Sequence, residues 1–246
     1  TAALYIFKDI KKSFPDASLD REIIRAQIKL AEARFEEGDG NDSVLDIISS
    51  TFDLLEPYLE RDRSKFETDY AKNMLIKAFV LTKVLDDTDE AIEKAYLTVI
   101  EILQKHLDEN ISEYVFDYMV STYRLANLYM RRMDLNSAEK YFKTSIKIAE
   151  RFAGAIDNPT IDQLANIYFD FSLYNVLSKD LNTALDYLDK SEAAYKQVGK
   201  YDPSVQTYLS DIRLVRQKIE NISSGANSVQ LGVAEKRNRI SKSWKI

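Results

Sequence analysis

Cysteine is absent from this chain of 246 residues, histidine occurs once, and there are only 6 glycines and 4 prolines. Without cysteine there are no disulfide frameworks, thiolate nucleophiles or cysteine-based zinc sites. So few turn residues argue against a β-sandwich or barrel, whose many short strands need punctuation. Apolar stretches are broken by charge every few residues, so no segment spans a membrane, and no signal-peptide pattern is visible. The chain starts at Thr1 and not Met, which leaves room for an upstream anchor or DNA-binding domain.

What the chain has is 45% hydrophobic and 30% charged residues, the mixture of a folded, water-facing protein long enough for a sizeable core. Its net charge of −6 is uneven: residues 223–246 carry five basic side chains and one acid, leaving about −10 on the rest. An acidic body points away from nucleic acid as a bulk partner.

An internal repeat organises the body. Residues 134–143 (DLNSAEKYFK) align with residues 180–189 (DLNTALDYLD). Each opens on an aspartate suited to capping a helix, because its carboxylate can accept from the free amides of the first turn. Each continues in an apolar seam with steps of 3, 4, 3, 4 and 3: Leu135, Ala138, Phe142, Ser145, Ala149, Phe152, and Leu181, Ala184, Leu188, Ser191, Tyr195, Val198. That period is helical. Stepping back by 47 and 47 from Ala138 reaches Ala91 and Val44, so four second-helix starts are expected at intervals of 47, 47 and 46. First helices are expected at about 19–38, 64–84, 112–133 and 160–179, joined to the second helices by short polar links that force hairpins. A terminal helix at about 203–222 has Asp202 as N-cap and Pro203 in its first turn, and a short helix at 2–14 leads the chain.

The third unit's Leu125, Ala126, Tyr129, Ala138, Phe142 and Ser145 resemble the tetratricopeptide (TPR) pattern. The fourth supplies Phe171, Ser172, Ala184, Leu188 and Ser191, with Asn175 where that pattern has tyrosine. The period of 46–47 exceeds the family's usual ~34 and is similar to long-repeat relatives, kinesin-light-chain-like repeats or bacterial peptide-sensing regulators. The resemblance covers about residues 19–222. It implies an all-α, right-handed superhelix (solenoid) of four to five antiparallel hairpins: units at about 19–60, 64–107, 112–153 and 160–198, then the terminal helix. Residues 1–222 form the domain and 223–246 a basic tail.

The resemblance also implies function: a non-catalytic adaptor or scaffold, on the cytoplasmic side or in the cytosol, holding a peptide or partner subunit in a concave groove lined by first helices. In the family's frame the groove-facing positions include Asn73, Lys77, Tyr123, Arg124, Asn127, Arg131 and Asn166, proposed as a peptide-recognition strip. Asparagine can pair with both backbone donor and acceptor, and arginine can grip a carboxylate at two points. The alternative for each is a plain solvated helix face. A second functional reading is the repeat domain of a bacterial signalling-peptide regulator without its DNA-binding domain; a third is an enzyme or enzyme subunit.

Other signals carry less. A lone His106 near a helix end suits the dipole there and has no second histidine for metal binding or a base-activated nucleophile. Residues 36–42 (EEGDGND) lack the ligand spacing of a calcium loop and read as a turn. No phosphate-binding glycine loop occurs, and no catalytic residue, metal or cofactor is expected. The tail reads as a flexible terminus, as an anchor to an acidic surface, or as a segment docking on the body or a neighbouring copy.

Overall fold

A computed structural model describes residues 2–13, 19–38, 40–85, 90–107, 111–152, 158–198 and 205–223. Among these the chain is all-α, with no strand and ten helices in sequence: α1 (Ala2–Ser13), α2 (Asp20–Glu37), α3 (Asn41–Arg61), α4 (Arg63–Val84), α5 (Glu90–His106), α6 (Ile111–Arg131), α7 (Leu135–Phe152), α8 (Asn158–Leu177), α9 (Leu181–Val198) and α10 (Val205–Ser223). The expected links at 86–88, the Asp202–Pro203 start and residues 224–246 of the tail lie outside the described residues. The chain divides into two compact units, Thr1–Ser121 and Thr122–Ile246, with the boundary inside α6.

The hairpin turns follow from backbone chemistry. After α6, Met133 adopts a left-handed φ of 60°, and the Asp134 N–H donates to the Tyr129 carbonyl at 3.0 Å. Forty-six residues later Lys179 adopts φ 64°, and the Asp180 N–H donates to the Asn175 carbonyl at 2.9 Å. Both turns thereby satisfy carbonyls that a helix end leaves without partners. Each aspartate then caps the next helix: Asp134 Oδ1 accepts from the Ser137 N–H, and Asp180 Oδ1 from the Thr183 N–H, both at 3.1 Å. Hydrogen bonds from Ser137 and Thr183 hold the two carboxyls below the usual aspartate range. In the first hairpin Gly38 takes the left-handed position, at φ 80°.

Three of the four second-helix seams pack as their spacing predicts. On α3, Val44, Ile48, Thr51 and Leu55 are buried; on α9, Ala184, Leu188, Ser191, Tyr195 and Val198 are. α7 buries Ala138, Phe142, Ser145 and Ala149, while Leu135 is half-buried. The second unit departs from the expectation. Ala91 is exposed, and the buried seam begins one residue later, at Ile92, and continues through Tyr96, Val99 and Leu103 with the steps of 4, 3 and 4 seen on α3, α7 and α9. The starts therefore fall at 44, 92, 138 and 184, with intervals of 48, 46 and 46 and not 47, 47 and 46. The link before α5 is also longer: five residues separate α4 from α5, against three between α6 and α7 or between α8 and α9.

Within the first unit, aromatic rings join helix to helix: Phe35 to Phe79 across α2 and α4, and Phe79 to Tyr96 across α4 and α5. In the second unit Phe142 of α7 touches Tyr123 of α6 and Phe171 of α8. Phe171 then meets Tyr187 edge-on, and Tyr195 stacks on Tyr208 of α10. Small residues let the backbones come close between these rings. Buried Ser191 donates from Oγ to the Ala165 carbonyl of α8 at 2.8 Å, so α9 and α8 are near enough for a side chain to reach the neighbouring main chain.

Candidate functional site

Burying a polar group is costly unless it is hydrogen-bonded or paired, so the location of such groups is informative. Among the described residues, thirteen of the sixteen buried polar or charged side chains lie on α2, α4, α6 and α8, the first helices of the hairpins. The other three, Thr51, Ser145 and Ser191, are small hydroxyls of the second-helix seams. The polar interior therefore belongs to one class of helix, and each unit holds its own part of it.

In the first unit, Asp69 of α4 is the centre. Arg21 Nε donates to its Oδ2 and Arg25 Nε to its Oδ1, each at 2.8 Å. The two arginines stand four apart on α2, one helical turn, so a single carboxylate receives both. Further along the helices, Lys72 Nζ lies 3.5 Å from Asp117 Oδ2 of α6. Burial raises the Asp117 carboxyl above the usual range; Lys72 and Lys29 pull it down and Glu32 pushes it up. Lys29 and Glu32 sit on α2, so side chains of α2 and α6 share one field across the intervening α4.

Asn73, the first expected strip residue, is fully buried, and its Nδ2 donates to the Ile48 carbonyl of α3 at 3.0 Å. As placed, its donor ties two helices together and does not face a groove. Lys77 is half-buried, with Nζ 5.6 Å from the centre of the Phe52 ring.

In the second unit, Tyr123 and Asn127 are buried side by side on α6. Tyr123 Oη donates to Asp170 Oδ2 of α8 at 2.7 Å, and Asn127 Nδ2 lies 3.4 Å from the Tyr123 carbonyl. Burial and the Asp170 charge raise the Tyr123 phenol well above its ordinary value, so it is a fixed donor and not a titrating group. Arg124 is buried too, its guanidinium 5.6 Å from the Tyr123 ring centre. One helix over, Asn166 Nδ2 donates to the Asp162 carbonyl at 2.9 Å, and its Oδ1 accepts from Tyr195 Oη at 2.7 Å. Burial raises the Tyr195 phenol as well, with Asp162, Tyr123 and Asp170 adding to it. Tyr123, Arg124, Asn127, Asp170, Asn166 and Tyr195 are thus one neighbourhood. Arg131 is half-buried in the last turn of α6.

Neither reading of the strip anticipated this burial. Arg124 and Asn127 are not solvated side chains: Asn127 Nδ2 reaches the Tyr123 carbonyl and the Arg124 guanidinium lies against the Tyr123 ring before any ligand arrives. Asp170 and Tyr195 were outside the expected strip. Asp170, four residues after Asn166, is itself groove-facing in the family's frame, the signal that could have included it; Tyr195 lies on a second-helix seam and reads from sequence as core.

His106, in the last turn of α5, places Nε2 2.7 Å from Glu67 Oε1 of α4, and its ring lies against Tyr114 of α6. It ties helices together within the first unit. Among the described residues no group of three His, Cys, Asp or Glu side chains is arranged to hold a metal ion, and no helix is long and apolar enough to cross a membrane. Comparison with protein-family models and with curated proteins gives no match to this chain.

Proposed function

We propose that the chain is a non-catalytic interaction module, a TPR-like superhelical array whose first helices present a polar face to an extended peptide or a partner subunit. The observation that carries this reading is the segregation of buried polar side chains onto α2, α4, α6 and α8. A fold that needed only a core would put apolar residues there, because a paired buried charge seldom stabilises more than a well-packed hydrocarbon does. Polar groups already fixed by neighbours lose little further freedom when a ligand binds, which favours recognition.

In the second unit the face combines the Tyr123–Asp170 pair with Arg124, Asn127 and Asn166. Tyrosine bodies supply apolar area and their hydroxyls supply direction. An extended backbone offers alternating donors and acceptors, which carboxylate, amide and phenol groups can meet.

The test selects peptides from a displayed library against the intact chain and measures their affinity by fluorescence anisotropy. Asp170→Asn, Tyr123→Phe and Arg131→Gln keep size and shape while altering charge or hydrogen bonding. We expect at least one of them to weaken binding by about tenfold or more with helicity unchanged, the usual effect of losing a charge-assisted contact. Selected peptides that bind all three variants as well as the parent chain would overturn the assignment of the face.

A further inference from the structure

The outer surface of α3 differs from that of the other second helices. Asp42, Asp46, Asp53, Glu56 and Glu60 are all exposed. With Ser49 they follow steps of 4, 3, 4, 3 and 4, which is a single stripe along one helix face. No basic residue interrupts the stripe, and α3 carries only Arg61 at its end. Among the described residues none of the five carboxylates has an ion-pair or hydrogen-bond partner. By contrast α7 pairs Lys143 with Glu139, and α9 pairs Lys196 with Glu192. Leu54, 39% exposed, and exposed Pro57 flank the acids, so the face is part apolar. Like charges one turn apart destabilise a helix by a few tenths of a kcal/mol each, so the pattern is a cost to α3 alone.

Charge complementarity for this face exists within the same sequence. Up to Ser121 the chain has 15 basic and 26 acidic residues; from Thr122 onward it has 19 and 14. Five of those basic residues, Lys236, Arg237, Arg239, Lys242 and Lys245, fall in ten positions, with Ile240 and Trp244 among them. The acids from Asp42 to Glu60 extend over about 27 Å of helix at ~1.5 Å per residue. Ten residues in extended form cover about 33 Å at ~3.3 Å per residue. Number of charges, length and the interspersed apolar residues all match.

We propose that the α3 face docks residues 229–246 of a second copy of this chain. Each copy has one stripe and one basic segment, so two copies can exchange segments as a closed pair or copies can join head to tail. This surface is separate from the polar face of the first helices, and the proposal stands whether or not that face binds a peptide.

The test is sedimentation of the intact chain over a range of concentrations at about 20 mM and about 500 mM salt, bracketing the regimes of weak and strong screening. The average mass rises with concentration at low salt and returns to the 28.3 kDa of one chain at high salt. A stripe variant (Asp46→Lys, Asp53→Lys, Glu56→Lys) and a segment variant (Arg237→Glu, Arg239→Glu, Lys242→Glu) each lose association by tenfold or more. Mixing the two restores it, because the reversed stripe of one now faces the reversed segment of the other. All six positions are surface or terminal ones, and circular dichroism checks that both variants stay helical. A parent chain that stays single at every concentration in low salt overturns the proposal. So does a mixture that fails to recover; a segment docked on its own chain shows as a parent that stays single.

Discussion

Replacing Met133 or Lys179 with glycine should make the chain more stable, although neither change adds a contact. Both residues occupy the left-handed region, at φ 60° and 64°. For a residue with a Cβ that conformation costs about 1–2 kcal/mol. Glycine removes the cost and gives back part of it, about 0.5–1 kcal/mol, through greater freedom of the unfolded chain. Met133 is 62% exposed and Lys179 is exposed, so truncation loses little packing. The net gain is about 0.5–1 kcal/mol for Met133→Gly. It is smaller for Lys179→Gly, because a cation at a helix C-terminus itself contributes roughly 0.3–1 kcal/mol. In a chain of this size a gain of that order raises the melting temperature by about 1–4 °C. The first hairpin supplies the reverse experiment: Gly38 has φ 80° and open space where a Cβ would go, so Gly38→Ala should destabilise by about 1 kcal/mol through backbone strain alone. Urea unfolding followed by circular dichroism reads all three. Met133→Gly leaving the midpoint unchanged or lower, with helicity intact, would refute the reasoning, as would a harmless Gly38→Ala.

Other expectations follow from the same contacts. Asp134 and Asp180 have lowered pKa values, so their contribution is present above the ordinary aspartate value of 3.8 and is lost as pH falls through the folded value. Asparagine is an equally good cap but does not titrate, so Asp134→Asn with Asp180→Asn should hold neutral-pH stability and flatten its decline in acid; an unchanged acid profile would contradict this. Ser191→Val puts two methyl groups into a fully buried site facing the α8 backbone and should destabilise by about 1–3 kcal/mol, checked by the urea midpoint. His106→Ala leaves Glu67, 9% exposed, without its 2.7 Å partner, and should cost about 1–3 kcal/mol, while His106→Gln recovers part of it.

The helices were legible because their signals are local. A step of 3 and 4 in apolar residues, an aspartate before each of two seams and a glycine at position 38 are visible without any knowledge of neighbours. The misplaced start at Ala91 shows the limit of that method: periodicity between helices assumes equal links, and where the link is longer the seam begins one residue later, at Ile92. The left-handed turns at Met133 and Lys179 could not be read off, since neither residue advertises that conformation. The ion pairs of Asp69 with Arg21 and Arg25 join residues 48 and 44 apart, and nothing local marks them. The candidate strip shows the same division. Its positions on the first helices came from a repeat frame, but their burial depends on which neighbour reaches each amide, as Ile48 does for Asn73 and Tyr195 for Asn166.

The account stands or falls on where a ligand touches the chain. Amide hydrogen exchange of the intact protein, with and without a peptide selected against it, locates that contact directly. Added protection is expected on α6 and α8, strongest around Tyr123, Asn127 and Asp170. Protection confined to α5, α7 and α9, or none with a bound peptide, would contradict it.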